Sequence, residues 1–295
     1  MINILQEFYR LFFNLPFVHF SLMKNEPKNQ ENPKLLPTNP PASPPDFQAD
    51  PLIKILKTDS CKKNKPALNR IYMSYFTQAF IDFFQELSEH NQREWFHENK
   101  KRYERHVKQP FAAFVQALID EIGQHEPLYA TPKECIFRIN RDIRFSKDKT
   151  PYKVFCSANI ANGGRKNPNA SFYIQFSYNQ VMIGGGIYAP DKTQLYKIRQ
   201  HIQYNLEAFE QLLEEASFKK LYGQIQGEKN KRVPKEFKED AALQPYIANK
   251  QFYYLAEYQE EATKLLLSEN LLKEVLTHYE AALPMNTFLN EAIEE

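Results

Sequence analysis

The order of hydrophobic periods along this chain predicts an α+β fold in one domain: N-terminal helices, a mostly antiparallel sheet, then C-terminal helices. Three observations predict it. Between residues 77 and 123, apolar side chains recur at helical spacing. Between 135 and 188, the period drops to two, and turn residues separate the runs. Beyond 191, helical spacing returns, interrupted by one further strand-like run, QFYYLAEY. Strands therefore follow one another without alternating βα units.

Phe80, Phe83, Phe84 and Leu87 stand at i, i+3, i+4 and i+7, one face of a first helix with Thr77 as its cap. Asn91-x-x-Glu94 reads as a capping box opening a second helix through REWFHENKKRYERHV. Pro110 should break or kink it before FAAFVQALIDEIG, and Gly123 is a natural stop. In CIFRINRDIRF, Phe137, Ile139, Ile143 and Phe145 alternate with Arg138, Asn140, Asp142 and Arg144, which predicts a half-buried strand. VFCSANI suggests the next strand, and ANGGRKNPNA a loop. SFYIQFSY and VMIGGGIY should form a hairpin joined at Asn179-Gln180. Asp191 can cap a long helix whose Leu195, Ile198, Ile202, Phe209 and Leu212 share a face. A polar, proline-broken region near 223–245 precedes the last strand, and helices over about 259–282 and 285–293 end the chain.

Of the 295 residues, 1–72 hold ten of the 19 prolines and none of the eight glycines. We read 1–72 as a proline-rich, disordered extension and 73–295 as the folded domain. The opening MINILQEFYRLFFNLPFVHFSL suits neither a secretory signal nor a bilayer span, because polar residues interrupt it; a short amphipathic helix is the alternative. Three scattered cysteines, Cys61, Cys135 and Cys156, give neither a disulfide framework nor a zinc spacing, so a reducing, cytoplasmic location is expected. No metal or cofactor is implied.

The formal charge of +2 is unevenly spread. Residues 1–72 carry ten basic and six acidic side chains, leaving 28 basic against 30 acidic for 73–295. Within that acidic domain, FRINRDIRFSKDKTPYK (137–153) sets three arginines and three lysines among two aspartates. Concentrated positive charge favours a local anion site over the spread basic face of a general nucleic-acid binder.

On a strand, Arg138 and Arg144 would lie about 20 Å apart, too far to clasp one phosphate together. Arg144 can instead act with the following turn, where Lys147, Lys149 and Lys153 are close in sequence. Arginine offers a planar fork for phosphate or carboxylate, and lysine a mobile point charge. Asp142 can orient an arginine or accept a proton. Arg141 falls on the apolar face, where a guanidinium must be paired; Glu94, Glu98 or Glu104 are candidate partners. The competing reading is that all these charges, Asp148 included, are paired internally and hold a structural or protein-interaction domain together. A nucleic-acid-associated module is a further alternative.

RDIRFSKDKTPYK also matches the RDxRFSKDKxPYK signature of a bacterial and fungal family, the domain-of-unknown-function 2461 family. NQREWFHENKKRYE, GGGIYAPDKTQLYKIRQHI and VPKEF agree in order, so the resemblance spans about residues 76–280. It implies a single α+β domain, places 1–72 outside it, and brings no established activity. Two places depart from the usual pattern: Glu236 stands where that family has glycine, and DAAL replaces a DHP-like segment.

Other features point less far. Gly184, Gly185 and Gly186 lack a phosphate-loop pattern and mark close backbone approach, leaving space beside a pocket rimmed by Tyr188 and the next helix N-terminus. Such a terminus favours an anion. Arg199, two turns on, either points to that place or lies exposed or salt-bridged. His97 and His106 fall on opposite helix faces, and His90, His125, His201 and His278 have no partners by spacing. Trp95 reads as core. The expected ligand residues are therefore Arg138, Arg141, Asp142, Arg144, Lys147, Asp148, Lys149, Lys153 and Tyr188, and the expected partner is a phosphate-bearing small molecule.

Overall fold

The structure, a computed structural model, describes residues 74–125 and 127–294. The proline-rich stretch, the candidate N-terminal helix and Met73 lie outside the described residues. None of the helices among the described residues is long and apolar enough to cross a membrane.

Four strands form one antiparallel sheet in sequence order: β1 (Phe155–Ile160), β2 (Ser171–Ser177), β3 (Val181–Ile187) and β4 (Phe252–Tyr258). Ala158, Ile174, Ile183 and Ala256 pair across it in one row, all buried. Alternation gives the sheet two unlike faces. Phe172, Ile174 and Phe176 point into the main core, while Tyr173 belongs to a small separate cluster with Met182 and Leu255, against which Phe137, Tyr188 and Tyr253 pack.

The main core is rich in rings. Helix α1 (Gln78–Glu89) buries Phe80, Phe83, Phe84 and Leu87, the face that spacing predicts. Phe76, Phe111 and Phe114 surround Phe176 with ring centroids 5.6, 5.7 and 5.3 Å away, at the edge-on angles aromatic pairs prefer. After α2 (Arg93–Glu98) and α3 (Lys100–Tyr103), the turn Glu104–Lys108 widens to a π-helix before α4 (Gln109–Ile122). Pro110 has no N–H to return to the carbonyl of His106, so the helix adjusts locally instead of breaking.

One short helix and the loop after it depart from expectation more sharply. Thr131 and Glu134 form a capping box around α5 (Pro132–Cys135), where the sequence pattern predicts the start of a strand. Residues 137–153 then form an irregular loop. Its arms join no strand of the sheet and pair through isolated bridges, Ile136 with Ala158 and Asn140 with Tyr152. The Arg141 amide donates to the Pro151 carbonyl (2.9 Å) and the Lys153 amide to the Ile139 carbonyl (2.9 Å). Alternation holds only as far as Arg141: Phe137, Ile139 and Arg141 turn inward, Arg138 and Asn140 outward. Past it the chain turns over, and Phe145, expected on the apolar face, is 82% exposed.

On the C-terminal side, α6 (Lys192–Tyr204) starts at the Asp191–Gln194 capping box and yields at Asn205 to α7 (Leu206–Glu214), so the expected long helix is two. α8 (Ala216–Tyr222) and α9 (Lys238–Leu243) lead to β4. The final break falls at residues 267–270, between α10 (Ala262–Leu266) and α11 (Leu271–Glu294), and not near Pro284. Pro284 is exposed, so water can serve the carbonyl it frees while Ala281, Met285 and Leu289 keep the buried face intact.

Candidate functional site

The loop 137–153 is held at its base from two directions. The Asn91 side chain donates to the Tyr152 carbonyl (2.9 Å) and accepts from the Tyr152 amide (3.1 Å). The Tyr152 ring stacks on Phe96 with centroids 4.0 Å apart. Asn91 is thus no capping-box residue: Gln92 takes the N-cap position of α2, and the Asn91 amide is committed to the loop. No pattern within a single element carries that signal, since the partners are 61 residues apart.

Arg141 is buried, its side chain only 6% exposed, as its place on the apolar face predicts. Its partner is not on the second helix. The guanidinium is met by the Asp148 carboxylate and the Thr150 hydroxyl, and it donates to the Thr150 carbonyl (3.1 Å). Burial pushes the Asp148 carboxyl up, but the Thr150 amide, Arg141 and the Thr150 hydroxyl outweigh it, and the net shift is downward. The segment closes its own charge because Asp148 and Thr150 lie across the turn from Arg141.

At the tip, Asp142 accepts from the Arg144 amide (3.2 Å) and takes the guanidinium in a fork, with Arg144 Nε at 2.9 Å and NH2 at 2.6 Å. The Arg144 side chain, then its amide, holds the Asp142 carboxyl down to about 2. Arg144 is nonetheless 71% exposed. Lys149 Nζ donates to the Ile143 carbonyl (2.9 Å), and Lys147 makes no hydrogen bond or ion pair among the described residues; both are exposed. Neither lysine ends on a carboxylate among the described residues.

Lys153 behaves differently. It is 6% exposed, with Nζ 5.3 Å from the Phe137 ring centroid and 5.8 Å from that of Phe155. Burial first, then the like charges of Arg138 and Arg141, bring its ammonium down to about 8. Arg138 is exposed. The structure therefore divides the expected ligand residues: Arg144, Lys147 and Lys149 are exposed in the turn, Asp142 and Asp148 brace arginines, and the Arg141 and Lys153 side chains are buried. Tyr188 sits apart from the tip, in the sheet-face cluster with its ring 5.4 Å from that of Tyr253.

Five other sequence-based expectations resolve structurally. A Cβ on Gly185 would lie 2.9 Å from the Ser171 carbonyl oxygen, 2.9 Å from Tyr254 Oη and 3.2 Å from the Asn286 side-chain nitrogen. Gly186, at φ +99°, donates to Asn286 Oδ1 (3.0 Å). The glycines thus admit α11 against β3. The N-terminus of α6 is already occupied by its own carboxylate, Asp191, which accepts from the Gln194 amide (2.8 Å). Arg199 is not exposed, and among the described residues it meets no carboxylate: it is buried and donates to the Ile247 (2.8 Å) and Asn249 (3.1 Å) carbonyls. Burial lowers the pKa of this guanidinium. His278, which spacing leaves without a partner, lies in the core with its Nε2 2.8 Å from Tyr258 Oη. Trp95 packs against the core beside Phe83, as expected. Glu236, Glu239, Asp240, Lys235 and Gln203 line an open depression whose acidic excess disfavours an anion.

No curated protein and no solved structure shows significant similarity to the chain. The model of one protein family, described as conserved hypothetical protein (DUF2461), matches residues 79–288, which include the whole loop and all four strands. The chain belongs to this family.

Proposed function

We propose that the tip of the 137–153 loop binds an anion, most simply the phosphate of a small molecule. The observation that supports this reading is the division of charge within the loop. Arg141 and Asp148 neutralise each other at the base, and Arg144 with Asp142 at the tip, yet Lys147 and Lys149 stand exposed with no carboxylate partner among the described residues. Two exposed ammonium groups within five residues of an exposed guanidinium suit a phosphate dianion, which takes charge-assisted hydrogen bonds from several directions. The loop is also braced before any ligand arrives, so little ordering cost is left for binding.

Replacing Lys147 and Lys149 together with Gln tests it. Stability should change by no more than about 1 kcal/mol, since exposed charges contribute little. Affinity for inorganic phosphate or a sugar phosphate should fall by about 1.5–3 kcal/mol for each charged hydrogen bond removed. Calorimetric titration and thermal melts of parent and double variant read both quantities. Unchanged phosphate affinity, or no binding in the parent, would defeat the reading.

The Arg141–Asp148 and Arg144–Asp142 pairs favour a second reading, in which the loop is a self-bonded structural or protein-contact element. It requires the parent to show no anion response, with the order of the loop resting on the arginine–aspartate pairs and not on the lysines.

A further inference from the structure

Phe145 is 82% exposed and has the highest exposure among the large apolar side chains of the described residues. Its neighbours make that exposure informative. The Arg144 guanidinium carbon lies 5.8 Å from the centre of the Phe145 ring, and Arg144 is itself 71% exposed. Lys147 and Lys149 follow within four residues and are exposed. The ring does not hang on a slack turn. Asp142 ties down both the amide and the side chain of Arg144, and Lys149 ties its ammonium to the Ile143 carbonyl. An exposed apolar ring is thus presented with a flat cation over one of its faces, and two exposed lysines follow within the same turn of chain.

We infer that this tip is a stacking platform for a nucleotide unit: Phe145 and Arg144 offer flat faces to a base, and Lys147 and Lys149 meet the attached phosphate. The inference rests on the anion reading above and adds the aromatic half of the ligand. Bases stack on aromatic side chains with little regard to sequence, because every base has a π-face, and arginine adds a cation–π contribution. A lipid surface fits less well. Even a myristoyl chain alone anchors only marginally, and a single phenyl ring buries less. The unit can come from a free nucleotide or from an exposed single strand, which share this chemistry.

Calorimetric titration of the full chain with ribose phosphate, AMP and a short oligothymidylate decides the matter. AMP or the oligonucleotide should bind more tightly than ribose phosphate. Phe145→Ala should erase that advantage, a loss of about 5- to 100-fold, and leave ribose phosphate affinity unchanged. Phe145→Trp should keep or strengthen the advantage. AMP binding points to a free nucleotide, and oligonucleotide binding alone points to a strand; either supports the inference. Equal affinity for AMP, oligonucleotide and ribose phosphate, or a base preference that survives Phe145→Ala, would overturn the platform while leaving the anion reading intact. No binding of any phosphate compound would end both. Phe145-dependent capture of phosphatidylserine vesicles without nucleotide binding would assign the ring to a membrane surface instead. Because Phe145 is almost fully exposed, its loss should not disturb folding, and the thermal melt of each variant checks this.

Discussion

The base and the tip of one seventeen-residue segment treat the same kind of charge in opposite ways. At the base, Arg141 is buried and meets a carboxylate, a hydroxyl and a carbonyl, so its charge is consumed by the fold. At the tip, Lys147 and Lys149 are solvated and reach no carboxylate among the described residues. Sequence composition treats the two alike, but burial separates them. A cation taken out of water must be answered locally, whereas one left in water remains available to a ligand at little energetic cost.

The largest effect that could break this comparison belongs to Lys153, which is buried at the base as well. Its pKa falls to about 8, below the ordinary lysine value of 10.5. Below the lower value, folded and unfolded chains both carry the proton, and the folded state bears the cost of the buried charge. Between the two values only the unfolded chain keeps it, so this group's contribution to stability rises with pH, by about 3 kcal/mol over the window. Lys153→Met should remove that rise and stabilise the protein near neutral pH. Urea titrations at about pH 7 and about pH 10 measure it; equal slopes in parent and variant would mean that the base does not treat its cations as described.

Arg141→Ala comes next. It should cost about 2–3 kcal/mol, because the Thr150 groups lose a charged partner while Asp148, half exposed, recovers water. A cost as small as that of the tip double variant would erase the distinction between base and tip. Gly185→Val sharpens it from outside the loop. The added side chain collides with Tyr254, Asn286 and the Ser171 carbonyl, for an overpacking loss of about 1–3 kcal/mol. Phosphate affinity, measured on the folded variant, should not change.

How far the chain could be read from its residues follows the same division. Helix α1 was legible because four apolar residues repeat at its own period, and the β2–β3 hairpin because two alternating runs flank a turn. That Arg141 is buried and paired was legible too, since alternation reports the face. Its partner was not, because that depends on how the chain folds back after Asp142. Short acidic side chains compete with the strand ladder for nearby amides, and Asp142 and Asp148 each capture the amide two residues on. Alternation alone gives no weight to that competition, so it extends the strand too far and places Phe145 inside. Arg199 shows the other limit: the carbonyls it serves are 48 and 50 residues away, and nothing in its neighbours names them.

The clasp between Asn91 and Tyr152 has a consequence for how the loop can be watched. The Tyr152 amide proton is held by a side chain and not by a sheet ladder. Its exchange with solvent deuterium therefore needs only a local parting of Asn91 from the loop, whereas the amides of β2, locked between two strands, await a much larger opening. The two sets of protons report on separate events within one molecule. Deuterium uptake at Tyr152 is a clock for detachment of the loop, running independently of the unfolding of the sheet beneath it.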